Sequence, residues 1–233
     1  KELLSQIEPE EVGGGMVDDV FEDPYQIKDY FPDREEAGTP NIPGAIGLAA
    51  AIDILDRIGM TFLMQEEEAL IATALEKMKT IPDLTIYGEP DPDVCQRTAT
   101  ISFNIKGMDH GLVAAILNDY FNVSVRNECF CAHPYVKEMI MDDLLDMVDD
   151  IEMEDIESIY HLKRGMVRAS IAMYTTEEDV EALVVALKDI SSRKDYYKSR
   201  YHTDERNEYI HNSFQIEHTQ QFSIENCIEQ LIS

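Results

Sequence analysis

Three short segments rich in Thr, Ile, Val and Phe, at 98–105, 123–127 and 166–174, read as β-strands. The stretches around them carry apolar residues at helical spacing. Between the first two, Leu112, Val113, Ile116 and Leu117 predict a helix over His110 to Phe121. After the third, Thr176 predicts an N-cap, with Glu178 and Asp179 in the first turn. Val180, Leu183, Val184 and Leu187 then mark the buried stripe of a helix that runs to Ile190. Strands separated by amphipathic helices predict an α/β (α+β) domain, a small sheet with helices packed on one face. The helix joining the first two strands is long enough for a crossover, and a mixed or antiparallel sheet is also open.

The rest of the chain divides around this body. Residues 1–42 read as an irregular linking segment with Gly13-Gly14-Gly15, an acidic aromatic stretch from Asp18 to Tyr30, and Glu36-Ala-Gly-Thr-Pro-Asn41. A helix is predicted to begin near Pro43, to place Ile46, Ala49, Ala50, Ile54 and Leu55 on one face, and to stop at Gly59. A second helix is predicted from Met64 to Lys79, a short strand over 84–88, and further helices over 137–148 and 152–162. The acidic run from Asp142 to Glu152 reads as a solvated face or insertion. Residues 43–190 form the predicted domain. Residues 191–233 are polar, with Tyr196, Tyr197, Tyr201, Tyr209, Phe214 and Phe222 dispersed among them, and read as an extension that packs by its aromatics or as a partly ordered tail.

Charge narrows the function classes. With 47 acidic and 19 basic residues the formal charge is −28. Phosphate-rich partners need clustered Lys and Arg, so nucleic acid and anionic membrane surfaces are disfavoured. No apolar run approaches the roughly 20 residues of a membrane-spanning helix. Cys95, Cys129, Cys131 and Cys227 are too few for a disulfide scaffold and predict thiols in a reducing cytoplasm.

The densest chemistry lies in Arg126-Asn-Glu-Cys129-Phe-Cys131-Ala-His133-Pro134, just after a strand. A thiol beside Arg and His suits a sulfur nucleophile. Cys-x-Cys-x-His also offers three metal ligands, but no second cluster completes a site. A small buried hydrophobe is the third reading. Arg168, mid-strand among apolar residues, needs an anionic partner, either a substrate carboxylate or a neighbouring acid. Gly38-Thr39 ahead of a helix start could meet a phosphate or simply turn and cap. Gly13-Gly14-Gly15 lacks the Gly-Lys-Ser/Thr of a P-loop. His110, His161, His202, His211 and His218 fit no catalytic or metal spacing and read as surface or core residues.

Taken in order, Glu36-Ala-Gly-Thr-Pro-Asn41, Gly44-Ala-Ile-Gly47, Ser102-Phe-Asn104, Val125-Arg126, Cys131-Ala-His-Pro134, Val167-Arg-Ala-Ser170 and Tyr174-Thr-Thr-Glu177 resemble the class V aminotransferases. The likeness is greatest to the cysteine desulfurase and selenocysteine lyase branch and spans roughly residues 10–190. It implies a pyridoxal 5'-phosphate enzyme of the homodimeric aminotransferase fold. By the same resemblance, Thr39 reaches the cofactor phosphate across the dimer, Arg168 holds the substrate carboxylate, Arg126 lines that pocket, and Cys131 is the nucleophile. The implied reaction turns L-cysteine into alanine, leaves a persulfide on Cys131, and passes the sulfur to an acceptor protein.

Three departures stand out. Glu128 and Cys129 occupy positions where many desulfurases have Gly and His. The 137–164 connection is longer than usual. No His-Lys pair occurs in the sequence, whereas the family's Schiff-base lysine sits in one, upstream of the Gly-rich stretch. With Lys1 as the first residue, the expectation is the C-terminal part of a longer enzyme, inactive by itself. Two alternatives remain: a class V aminotransferase or other lyase without a cysteine nucleophile, and a non-catalytic small-domain interaction module.

Overall fold

The computed structural model describes residues 2–21, 25–91, 94–95, 97–145, 165–214, 223–224 and 228. The helix expected over 152–162, most of the acidic run, Phe222 and Cys227 lie outside the described residues. The chain divides into two compact units, residues 1–60 and 61–233.

In the first unit, β1 (Val17–Val20) and β2 (Tyr25–Ile27) form an antiparallel ribbon inside the segment expected to be irregular. Helix α1 (Ile42–Ile58) starts where the local chemistry directs it. Asn41 Oδ1 accepts from the Gly44 N–H at 3.0 Å, and Pro43 sits in the first turn. Gly59, at φ 94°, ends the helix by donating its N–H to Leu55 O. The apolar residues predicted to share one face of this helix are not buried: α1 has no buried residue, and Ile46, Leu48, Ile52 and Ile54 are each more than half exposed.

The second unit is built on a four-stranded sheet. Helix α2 (Met60–Met78) leads into β3 (Leu84–Tyr87), followed by β4 (Thr100–Ile105), α3 (His110–Phe121), β5 (Arg126–Glu128), α4 (His133–Leu145), β6 (Met166–Ser170) and α5 (Glu177–Ser192). The strand order is β3-β4-β6-β5 and every neighbouring pair is antiparallel. Strand β6 therefore lies between β4 and β5, and α3 carries the chain across it. Two strands are shorter than predicted. β5 begins only at Arg126, and β6 ends at Ser170 rather than 174.

The sheet's first face closes the core. Ile101, Phe103 and Ile105 of β4 and Val167 and Ala169 of β6 pack with Leu75 and Met78 of α2, Val113, Ile116 and Leu117 of α3, and Val184 and Leu187 of α5. The alternating burial of β4 shows why its sequence reads as a strand with one face inward. Helix α5 opens with the predicted cap, and Thr176 and Asp179 form a reciprocal capping box. On the second face, Val136 and Ile140 of α4 cover Tyr87 and Met166. Among the described residues, α4 is thus the helix that covers part of that face.

Part of the extension is ordered by its aromatics. Helix α6 (Lys194–Lys198) and the hairpin β7 (Tyr201–Thr203) with β8 (Tyr209–His211) bring Tyr197 and Tyr201 into the core. Tyr197 donates to Asp189, and Tyr201 Oη donates to Asp119 Oδ2 at 2.9 Å. Burial first, and then these carboxylates, push both phenols far above their ordinary range. Tyr120 meets the ring of Tyr197 edge-on at 5.1 Å.

Candidate active site

Register brings the predicted arginines together. Arg168 lies directly opposite Arg126 across β5–β6 and opposite Ser102 across β4–β6. Directly paired residues share a face, so both guanidinium groups stand on the second face of the sheet. Like charges placed opposite one another destabilise a sheet unless an anion lies between them. Among the described residues neither arginine is in an ion pair. Arg126 is exposed; Arg168 is half-buried, and its Nε is buried with no hydrogen-bond partner.

A second orphan lies on the same face. Asn104 Nδ2 donates to Tyr87 Oη at 3.1 Å and to Gly165 O at 3.0 Å, while its Oδ1 is buried without a partner. An unpaired buried donor and an unpaired buried acceptor are costly by themselves and suit a ligand that carries both kinds of polar group.

The cysteine loop runs alongside. Beyond Glu128 the chain leaves β5 and turns into α4. Its backbone is unusual: Glu128, Phe130 and Cys131 have φ values of 84°, 51° and 60°. L-residues in the left-handed region store about 1–3 kcal/mol each and persist only where surrounding contacts enforce them. The Ala132 N–H donates to Cys129 O at 2.7 Å and closes the turn. Phe130 packs against the apolar cluster of α4, and the Arg168 guanidinium lies 4.8 Å from its ring centroid. This cation–π contact ties the predicted carboxylate-binding arginine to the loop that carries Cys131. Cys131 is exposed, Cys129 is half-buried, and neither is in a disulfide. Among the described residues, no group of three or more His, Cys, Asp or Glu is arranged to hold a metal ion.

At the base of the loop, His110 is half-buried, and burial pushes its imidazole below the ordinary histidine range. The carboxylates of Asp109 and Glu128 offset that shift in part.

Thr39 lies in the first unit. It is exposed, one residue after Gly38, whose φ is 75° and whose N–H donates to Gly14 O at 2.6 Å. Gly13-Gly14-Gly15 therefore has a local reason: a Cβ on Gly13 would come within 3.1 Å of Ala37 Cβ. Phe130, Asn104, His110 and Gly165 were not singled out as site residues in the sequence. Ser102-Phe-Asn104 was a motif without an assigned role, and Phe130 was visible only as the residue between two cysteines.

Residues 1–183 match the family Aminotransferase class-V, and the chain belongs to that family. Cysteine desulfurases are among its relatives within that family. A probable cysteine desulfurase of Methanothermobacter thermautotrophicus is 33% identical over 190 residues, covering 82% of this chain and 42% of that protein. A cysteine desulfurase of Escherichia coli O127:H6 is 33% identical over 188 residues, covering 81% of this chain and 39% of that protein. Among solved structures, the apo cysteine desulfurase of Thermococcus onnurineus NA1 is similar at 31% identity and a TM-score of 0.65, covering 82% of this chain and 41% of that one. The cysteine desulfurase CsdA of Escherichia coli, in an S-sulfonic acid form, has a TM-score of 0.63 at 26% identity, covering 83% of this chain and 41% of that one. The sheet and helices are accordingly an α/β portion of the pyridoxal-phosphate aminotransferase fold. The chain spans about two fifths of the length of the curated relatives it matches.

The family is pyridoxal-phosphate-dependent, and the residues present fit the side of such a site that faces the substrate. The unpartnered Arg168 Nε and its neighbour Arg126 suit the carboxylate of an amino acid held by the cofactor. The exposed Thr39 hydroxyl suits a phosphate. The covalent anchor is not matched, because no His-Lys pair occurs in this sequence. Among the described residues no helix is long and apolar enough to cross a membrane.

Proposed function

We propose that this chain supplies the substrate-binding and sulfur-accepting part of a pyridoxal-phosphate-dependent cysteine desulfurase. The observation that carries the reading is the Arg126–Arg168 pair, opposite in register, without an acidic partner among the described residues, and stacked through Arg168 on the ring next to Cys131. Bound pyridoxal phosphate supplies an electron sink for bond breaking at the substrate. The chain's own residues do the rest. Arg168 and Arg126 hold the carboxylate of L-cysteine and fix the direction of its side chain. Cys131, as the thiolate, forms a bond to the substrate sulfur while the substrate C–S bond breaks. The electron pair stays with the substrate carbon, which takes up a proton to give alanine, and Cys131 is left as the persulfide. Exposure of Cys131 suits onward transfer to a sulfur-accepting protein. The reading carries a homodimer with it, in which Thr39 meets the cofactor phosphate of the second subunit, in a cytoplasmic enzyme of sulfur metabolism.

The test is stoichiometric. The full-length protein, loaded with pyridoxal phosphate and given L-cysteine without an external thiol, is expected to release one alanine per persulfide, with the added mass of one sulfur on the Cys131 peptide. Alanine released without that mass, or unaffected by Cys131→Ala, overturns the nucleophile assignment and leaves a class V enzyme of other chemistry. Failure of the full-length protein to bind pyridoxal phosphate leaves the interaction-module reading.

A further inference from the structure

We propose that His110 is a positioning residue for the Cys131 loop, acting through Gly165 and the backbone of Glu128. The proposal deepens the desulfurase reading and rests on it for its catalytic consequence. Its starting point is a three-way approach at the base of the loop. A Cβ on Gly165 would stand 2.5 Å from His110 Nε2, 2.7 Å from His110 Cδ2 and 2.7 Å from Glu128 Cα. No side chain fits there, so the imidazole of α3 and the backbone of Glu128 close directly on the residue that leads into β6. Glu128 is the last residue of β5, paired with Met166, and the first of the left-handed residues that turn the chain toward Cys131.

A glutamate has no intrinsic reason to take φ 84°. Something must hold it, and among the described residues Gly165 lies against both the Glu128 backbone and the His110 ring. The ring is itself held on its other edge: Asn127 Nδ2 lies 3.4 Å from His110 Nδ1. Asp109 caps α3 beside it by accepting from the Gly111 N–H at 2.8 Å. The C-terminal hairpin backs this corner, because a Cβ on Gly111 would meet Tyr209 Cδ2 at 3.3 Å and Asn127 Nδ2 at 3.4 Å. His110 thus acts as a wedge between a helix N-terminus and a strand end. Its effect on chemistry passes through the Glu128 backbone to the direction in which Cys131 leaves the sheet.

The test reads the loop directly and the reaction separately. Alkylation of Cys131 by iodoacetamide is followed by peptide mass spectrometry, with exposed Cys95 as the internal reference. His110→Ala and Gly165→Ala are expected to change the Cys131-to-Cys95 ratio by at least about fivefold, and to lower kcat for alanine formation about tenfold or more with KM little changed. His110→Gln, whose amide reaches the place of Nε2, is expected to restore both. In a Glu128→Gly background, where the backbone takes φ 84° without strain, His110→Ala is expected to lose most of its effect on the ratio. A parent-like ratio and kcat in His110→Ala overturns the proposal. So does an undiminished His110→Ala effect after Glu128→Gly. If alanine formation survives Cys131→Ala, the desulfurase reading falls, and the alkylation ratio still decides the role of His110.

Discussion

On one face of the four-stranded sheet, Val167 and Ala169 of β6 join Ile101, Phe103 and Ile105 of β4 under three helices. On the other, Arg168 of the same strand stands between Ser102 and Arg126 with a buried nitrogen unpaired. Adjacent residues of β6 obey opposite rules. The first face is apolar and closed, so its residues add stability through burial. The second keeps polar atoms without partners beside a backbone in left-handed conformations, and both features cost stability. The difference teaches where to look for chemistry in this molecule: the well-packed face supports the unsatisfied one.

Substitutions on each face should separate stability from activity. Cys131→Ala, in the protein loaded with pyridoxal phosphate, is expected to lower alanine formation about a thousandfold or more, as removal of a nucleophile does, with the unfolding midpoint in urea unchanged. Next in size, Phe103→Ala on the closed face is expected to cost about 3–5 kcal/mol in urea unfolding, with the activity per folded molecule retained. Arg168→Gln should do the reverse. Loss of charge-assisted hydrogen bonds worth about 1.5–3 kcal/mol lowers kcat/KM for cysteine about 10- to 150-fold, while unfolding in urea shows no loss of stability. A stability loss as large as that of Phe103→Ala would break the comparison, because Arg168 would then be part of the scaffold.

Smaller effects sharpen the picture at the margins of the closed face. Thr176→Ala removes one half of the capping box of α5 and is expected to cost about 1 kcal/mol, measured by urea unfolding. Tyr201 gives a pH dependence. Burial and the bond to Asp119 raise its pKa in the folded state, so folding favours the neutral phenol. Its contribution is whole below the ordinary tyrosine value of about 10 and is lost as the pH rises through and beyond it. Tyr201→Phe should therefore flatten the alkaline fall in the circular-dichroism melting temperature.

Much of this was legible in the residues. The helix over His110 to Phe121 has the predicted bounds, and Thr176 caps α5 as its chemistry directs. The motifs from Glu36-Ala-Gly-Thr-Pro to Val-Arg168-Ala-Ser carry the likeness to the family to which the chain belongs. Other expectations failed for physical reasons. On α1 the spacing says only which residues share a face, and none of them is buried. Val123 and Val125 have strand propensity, yet pairing with β6 begins at Arg126, because a strand exists only where a partner's backbone bonds to it. His110 looked like an ordinary core or surface histidine, since its approach to Gly165, shared with the Glu128 backbone, joins residues far apart in the chain.

By itself the sequence determined the local signals: caps, periods, turn residues and the order of the motifs, all of which act over a few neighbouring residues. Only the tertiary structure decided that β6 enters between β4 and β5, so that Arg168 faces Arg126 and stacks on Phe130 beside Cys131. Strand order and register are settled by backbone pairing and by which face finds a core to bury against, and both join segments that the chain keeps apart.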